Sequence, residues 1–187
     1  MIARRLFLTG FCTAAFVAVG CGGGSDGGGG TTTPSIACTD AGTVPADTVS
    51  PTCGSEPTAQ TQNVDVVMSG PASGTTTLRG LNFDLTYDPA KLDFVPAATY
   101  TSPLFPNALI AVALENGQPG RVIVSIQTTQ PDPDVSVSVG EHVALTLAFS
   151  RAAGQSFTPT PIAIENAETT PTGLGVTFSS GTAISYP

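Results

Sequence analysis

The sequence predicts an all-β fold: an antiparallel sandwich of two sheets. Three observations lead there. Short runs of alternating apolar and polar residues recur through the last two thirds of the chain. The runs are four to eight residues long, rich in Val, Ile, Thr, Phe and Tyr, and bounded by Gly, Pro, Asn or Asp. That is the composition and punctuation of strands. No segment carries a convincing helical apolar period over about eleven residues.

The strands follow in order. "NVDVVMS" sets Val64, Val66 and Met68 at period two. In "LNFDLTY", Leu81, Phe83, Leu85 and Tyr87 form the inward set, and Asn82, Asp84 and Thr86 face away. Leu78 is out of phase with Leu81, and Gly80 between them predicts a bulge that restores the register. Asp88-Pro89-Ala90-Lys91 predicts a turn. There Pro89 fixes φ at the second turn position, and the Asp88 carboxylate accepts an N–H two residues on. "NALIAVALENG" is apolar on both faces and reads as either a short helix or a buried strand. "RVIVSIQ" turns Val122, Val124 and Ile126 to one side, and "VSVSV" alternates over 135–139. "HVALTLAF" places Val143, Leu145, Leu147 and Phe149 inward, and "PIAIE", "LGVTF" and "TAISY" complete the set. The domain is assigned to 62–187. A domain of that size buries roughly two thirds of its unfolded surface, so it needs no metal to fold.

Residues 1–20 form a secretory signal peptide: Arg4 and Arg5, a short apolar run, then small residues before Cys21. The run, 6–19, is too short for a membrane-spanning helix. "AVGC" resembles the lipobox of bacterial lipoproteins. The resemblance implies cleavage before Cys21 and a lipid on it. Gly22, where an Asp would signal retention, implies sorting to the outer membrane. "RRLFLT" resembles the twin-arginine export motif, so folded export and plain Sec export both stay open.

Residues 21–61 read as a tether carrying a disulfide. The stretch "GGGSDGGGGTTT" cannot build a core; twelve such residues span about 20 Å as a random coil. The Thr- and Pro-rich part after it, 34–60, is either a spacer or a capping flap. Of the four cysteines, Cys12 leaves with the leader and Cys21 takes the lipid. Cys38 and Cys53 remain for a bridge in an oxidising compartment, worth about 3 kcal/mol by loop-closure entropy.

Composition also excludes functions. Without the leader, four cations (Arg79, Lys91, Arg121, Arg151) face 14 acids. Such a surface suits neither nucleic acid nor anionic lipid, so membrane attachment must come from the anchor. A single histidine, His142, leaves no triad and no zinc set. Asp84 and Asp88 lie about 13 Å apart along one strand at ~3.3 Å per residue. That is too far for the carboxylate pair of a glycosidase, at most about 9.5 Å. "QPDPD", 130–134, lacks the ligand count of a calcium loop, and no phosphate-cradling motif is present. No enzyme, cofactor or metal is therefore expected. The chain has no Trp and three Tyr, and only Tyr100 lies free of the core pattern as a sugar-stacking platform.

The stretch "LRGLNFDLTYDPAKLDFV" resembles the region of cohesin domains in which an alternating strand runs into Tyr-Asp-Pro and then Leu. "GEHVALTLAFS" and "NAETTPTGLGVTFSSGTAISY" resemble later cohesin strands, in the same order. The likeness covers most of 64–186. It implies a jelly roll of about nine strands and a non-catalytic module that binds dockerins, small calcium-loaded modules on secreted enzymes. Aligned on Tyr-Asp-Pro, the Asn and Asp by which type I cohesins contact dockerin fall on Gly80 and Asn82, and both differ here. The partner-binding set expected from this strand is Gly80, Asn82, Asp84 and Thr86. Two other functions fit the same fold: polysaccharide binding, and a structural envelope lipoprotein without a specific ligand.

Overall fold

The computed structural model describes residues 35–129, 134–153 and 156–186. The leader, the Cys21 lipidation site, the glycine tether and most of "QPDPD" lie outside the described residues. The described chain is built of strands: β1 (Ala37–Asp40), β2 (Thr48–Cys53), β3 (Thr61–Ser69), β4 (Thr75–Leu78), β5 (Gly80–Thr86), β6 (Leu92–Val95), β7 (Leu109–Leu114), β8 (Arg121–Gln127), β9 (Val135–Ser138), β10 (Glu141–Arg151), β11 (Phe157–Thr170), β12 (Thr177–Phe178) and β13 (Thr182–Tyr186). One sheet runs β1-β13-β11-β5-β8-β7 and the other β12-β2-β3-β10-β6, with a separate β4-β9 ladder. The expected count of about nine rises to thirteen among the described residues, because several strands are short additions at edges. All pairings are antiparallel except β12 with β2.

The core is one cluster fed by both sheets. Phe83, Leu85, Val124 and Ile126 come from the six-stranded sheet, and Val64, Val66, Leu145, Leu147 and Phe149 from the five-stranded one. Period-two alternation explains this, since every second side chain must leave water to stabilise the stack. Tyr87 meets Phe149 edge-on at 5.2 Å between ring centroids. The alternation of β10 is broken by a bulge between Val143 and Leu145. Ala144 and Leu145 are both buried there, and Val143, expected inward, is only half-buried.

The boundary at 62 needs correcting. β1 pairs with β13 and β2 pairs with β3, so 36–53 contributes to both sheets. Ile36 and Val49 are fully buried in the core. Neither a spacer nor a flap describes this segment. Its threonines are good strand residues, and Pro51 is tolerated because β12 flanks β2 only at Thr48 and Val49. Cys38 and Cys53 are bonded, with Cα atoms 5.7 Å apart, and tie β1 to β2 across the layers.

One further local expectation changes, and one open reading is decided. Gly80 is not a bulge within one strand. Leu78 ends the β4-β9 ladder, Gly80 opens β5, and Arg79 carries the chain between them. Its N–H donates to the Thr170 carbonyl (2.6 Å), and its carbonyl accepts from the Thr128 N–H (2.8 Å). Leu78 and Leu81 are both buried because they belong to different ladders. The 107–117 stretch is a strand, β7, followed by a 3₁₀ turn at Glu115–Gly117. The Asp88 turn forms as expected: its Oδ1 accepts the Ala90 N–H at 3.0 Å, and Leu92 then re-enters the core.

Candidate protein-binding face

The outward residues of β11, β5, β8 and β7 form cross-strand rows fixed by register. One row reads Glu165, Asp84, Ile123, Ala113. The next reads Glu168, Asn82, Ser125, Ala111, and the last Thr170, Gly80, Gln127, Leu109. Each row passes from polar or acidic at β11 to apolar at β7. Leu109 is 69% exposed and Ile123 43%, and Ala111 and Ala113 are exposed beside them.

Arg121 organises the acidic side. Its guanidinium lies 3.0 Å from Glu165, 3.6 Å from Asp84 and 3.6 Å from Glu115. One cation among three carboxylates leaves the ring net anionic. Asp84 also accepts a 2.7 Å bond from the Asn166 side-chain amide. Asn166 reaches it because β11 bulges between Glu165 and Glu168, with Asn166 at φ 47°. Of non-glycine residues, Asn enters that left-handed region most readily.

The expected site residues share this face but differ in role. Asn82 Oδ1 accepts from the Ser125 hydroxyl (2.7 Å) and the Gln127 amide (3.4 Å). Thr86 donates to the Ala163 carbonyl at 3.5 Å. Gly80 is buried, and a Cβ there would lie 2.2 Å from the Ile126 carbonyl oxygen, so its smallness serves close strand approach. Arg121, Glu115, Glu165, Asn166, Leu109, Ala111 and Ala113 escaped the sequence reading. Their grouping depends on β11 and β7 flanking β5 and β8, which alternation within a strand does not encode.

Other candidates sit in structural roles. Tyr100 is half-buried against the core, and its hydroxyl accepts the Ala97 N–H at 3.0 Å. His142 Nε2 lies 3.0 Å from the Ser138 carbonyl oxygen and 3.4 Å from the Ser138 hydroxyl, within its own β9-β10 turn. Cys38, Asp40 and Cys53 cluster, but both sulfurs are in the disulfide. The Asp40 carboxylate accepts the Cys53 N–H (2.7 Å) and the Thr182 hydroxyl (2.8 Å). Asp134, the described end of "QPDPD", pairs with Arg79 at 3.1 Å.

No protein-family model matches the sequence, and no curated protein matches it. Solved structures do. The sixth cohesin of scaffoldin B from Acetivibrio cellulolyticus, solved in complex with a mutant Cel5 dockerin, is 16% identical with a TM-score of 0.55, covering 72% of this chain and 95% of that one. The CaCohA2 cohesin of Clostridium acetobutylicum, solved in its CaDoc0917 complex, is 15% identical with a TM-score of 0.51, covering 72% and 96%. With two packed sheets, one shared core and this strand order, the domain has a cohesin-like jelly-roll fold.

Proposed function

We propose that the domain is a non-catalytic recognition module that holds a small folded secreted protein of the dockerin kind on the β11-β5-β8-β7 face. The observation that carries the reading is the gradient across the rows: an apolar strip of Leu109, Ala111, Ala113 and Ile123 beside the carboxylate ring around Arg121. Such a face suits an apolar anchor flanked by Lys or Arg on the partner, since central apolar contacts give affinity and rim charges give specificity. The two solved cohesin complexes support a folded protein module as the partner. The Gly80/Asn82 positions, unlike type I, point to a partner with its own contact pattern. A polysaccharide lacks this support, because Tyr100 is packed rather than presented.

In the same reading, a lipid on Cys21 anchors the chain to the envelope, most simply the outer membrane, and the glycine tether holds the domain off it. Confinement raises the local concentration of module and partner. The test is calorimetric titration of the protein with dockerin modules encoded alongside it. Tight binding that falls at least tenfold in Ile123→Asp and in Asp84→Arg is the expected result. Binding that survives both substitutions places the contact elsewhere, and absence of binding to every dockerin removes the reading.

A further inference from the structure

We infer that β7 is a self-pairing edge, so that two copies of the chain join β7 to β7 about a two-fold axis into one twelve-stranded sheet. The position of the strand comes first. β7 ends the six-stranded sheet, and among the described residues the backbone of Leu109–Leu114 pairs with β8 alone. Among the described residues one side of its ladder is therefore open.

The devices that normally guard such an edge are absent from β7. Exposed edges are blunted by lysine, proline, bulges, short length or a covering segment. β7 reads Leu-Ile-Ala-Val-Ala-Leu, with no charge and no proline, and its register against β8 is unbroken over six residues. The other edges differ. β1 has four residues and ends in Asp40, β6 has four and contains Asp93, and β12 has only two. Among the described residues, only β7 of these sheet edges combines length, an unbroken register and an apolar sequence.

Its side chains are complementary to their own reversal. A two-fold axis through Ala111 sets Leu109 opposite Ala113 of the second copy, Ala111 opposite Ala111, and Ile110 opposite Val112. Each pair then joins residues on the same side of the sheet, large against small on the outer face, where cross-strand contacts stabilise pairing. Shifting the axis to Val112 sets Glu115 opposite Leu109, a worse match. The chosen register brings no like charges together within the strand, despite the formal net charge of −8 on the chain. Closed two-fold pairing also ends growth, since each copy has one such edge. The partner-binding reading uses the outer side chains of this same strand, whereas the pairing uses its open backbone edge; the test below is run without a partner, so the two readings fail separately.

The test is sedimentation equilibrium of the full chain without any partner, as wild type, Ala111→Lys, Ala111→Glu, and the two variants mixed. Ala111 is exposed, so either charge is compatible with folding. The wild type is expected to sediment as a dimer, and each variant alone as a monomer, with association weakened at least tenfold. Mixing Lys with Glu is expected to restore the dimer, because the axis sets the two positions face to face. A monomeric wild type, dimers that persist in both single variants, or a mixture that stays monomeric would each overturn the inference. A monomeric wild type that captures an extended peptide along β7 would assign the edge to another occupant and also overturn it.

Discussion

The outer faces of the two sheets are built by the same alternation but hold different surfaces. On the five-stranded sheet outward polar side chains of β2, β3 and β10 are bonded to neighbouring groups. Thr146 donates to the Asp65 carboxylate, Thr52 to the Asp65 carbonyl (3.3 Å), and the Asn63 amide to the Ser55 hydroxyl (3.0 Å). Among the described residues its one large exposed apolar residue, Val95, is 38% accessible on the edge strand β6. The six-stranded sheet instead leaves Leu109 and Ile123 open and gathers three carboxylates around one arginine. Polar groups already joined to neighbours offer a partner little. Apolar surface next to unbalanced charge offers both area and selectivity.

The largest expected effect removes the support common to both faces. Phe83 is 1% exposed and sits between Asn82 and Asp84 on β5. Phe83→Ala should lower unfolding free energy in urea by about 3–5 kcal/mol. A loss below about 1 kcal/mol would mean that the two layers do not share the core described. Gly80→Ala sharpens the contrast, because the added methyl meets the Ile126 carbonyl oxygen. It should destabilise by about 1–3 kcal/mol, as over-packing does, and weaken partner binding by shifting β8. Wild-type stability in that variant would show that β5 and β8 have slack.

Smaller effects separate the faces. Arg121→Ala leaves Asp84, Glu115 and Glu165 without their shared cation. Stability should fall by about 1 kcal/mol at low salt, and less at high salt, since these groups are part-exposed. An unchanged melting temperature at low salt would remove the organising role given to Arg121. Thr146→Val should change stability by about 1 kcal/mol or less and leave partner affinity untouched. Affinity that fell with Thr146→Val but not with Ile123→Asp would reverse the assignment of the faces.

Much of the scaffold was legible in the sequence. The inward sets at 64–68, 81–87, 122–126 and 145–149 are read directly from period-two alternation, and the Asp88 turn from its own chemistry. What was not legible is non-local. β1, Ala37–Asp40, is short and carries little apolar pattern, and becomes a strand because β13 offers it an edge. β7 is apolar on both faces, so periodicity alone does not separate strand from helix; pairing with β8 decides. Asn82 and Asp84 could be set on a common face, but Arg121 and Asn166 join them through strand order and a bulge. The leader, the lipid on Cys21 and the tether remain expectations from their motifs.

The Cys38–Cys53 link has a mechanical meaning. Under the anchoring proposed at Cys21, a pull from the N-terminal side reaches β1 first, whose partner β13 is the last strand described. Without the bond, tension could peel β1 away and work inward. With it, load passes covalently from the outermost strand of one layer into β2 of the other, so the domain meets force as a block.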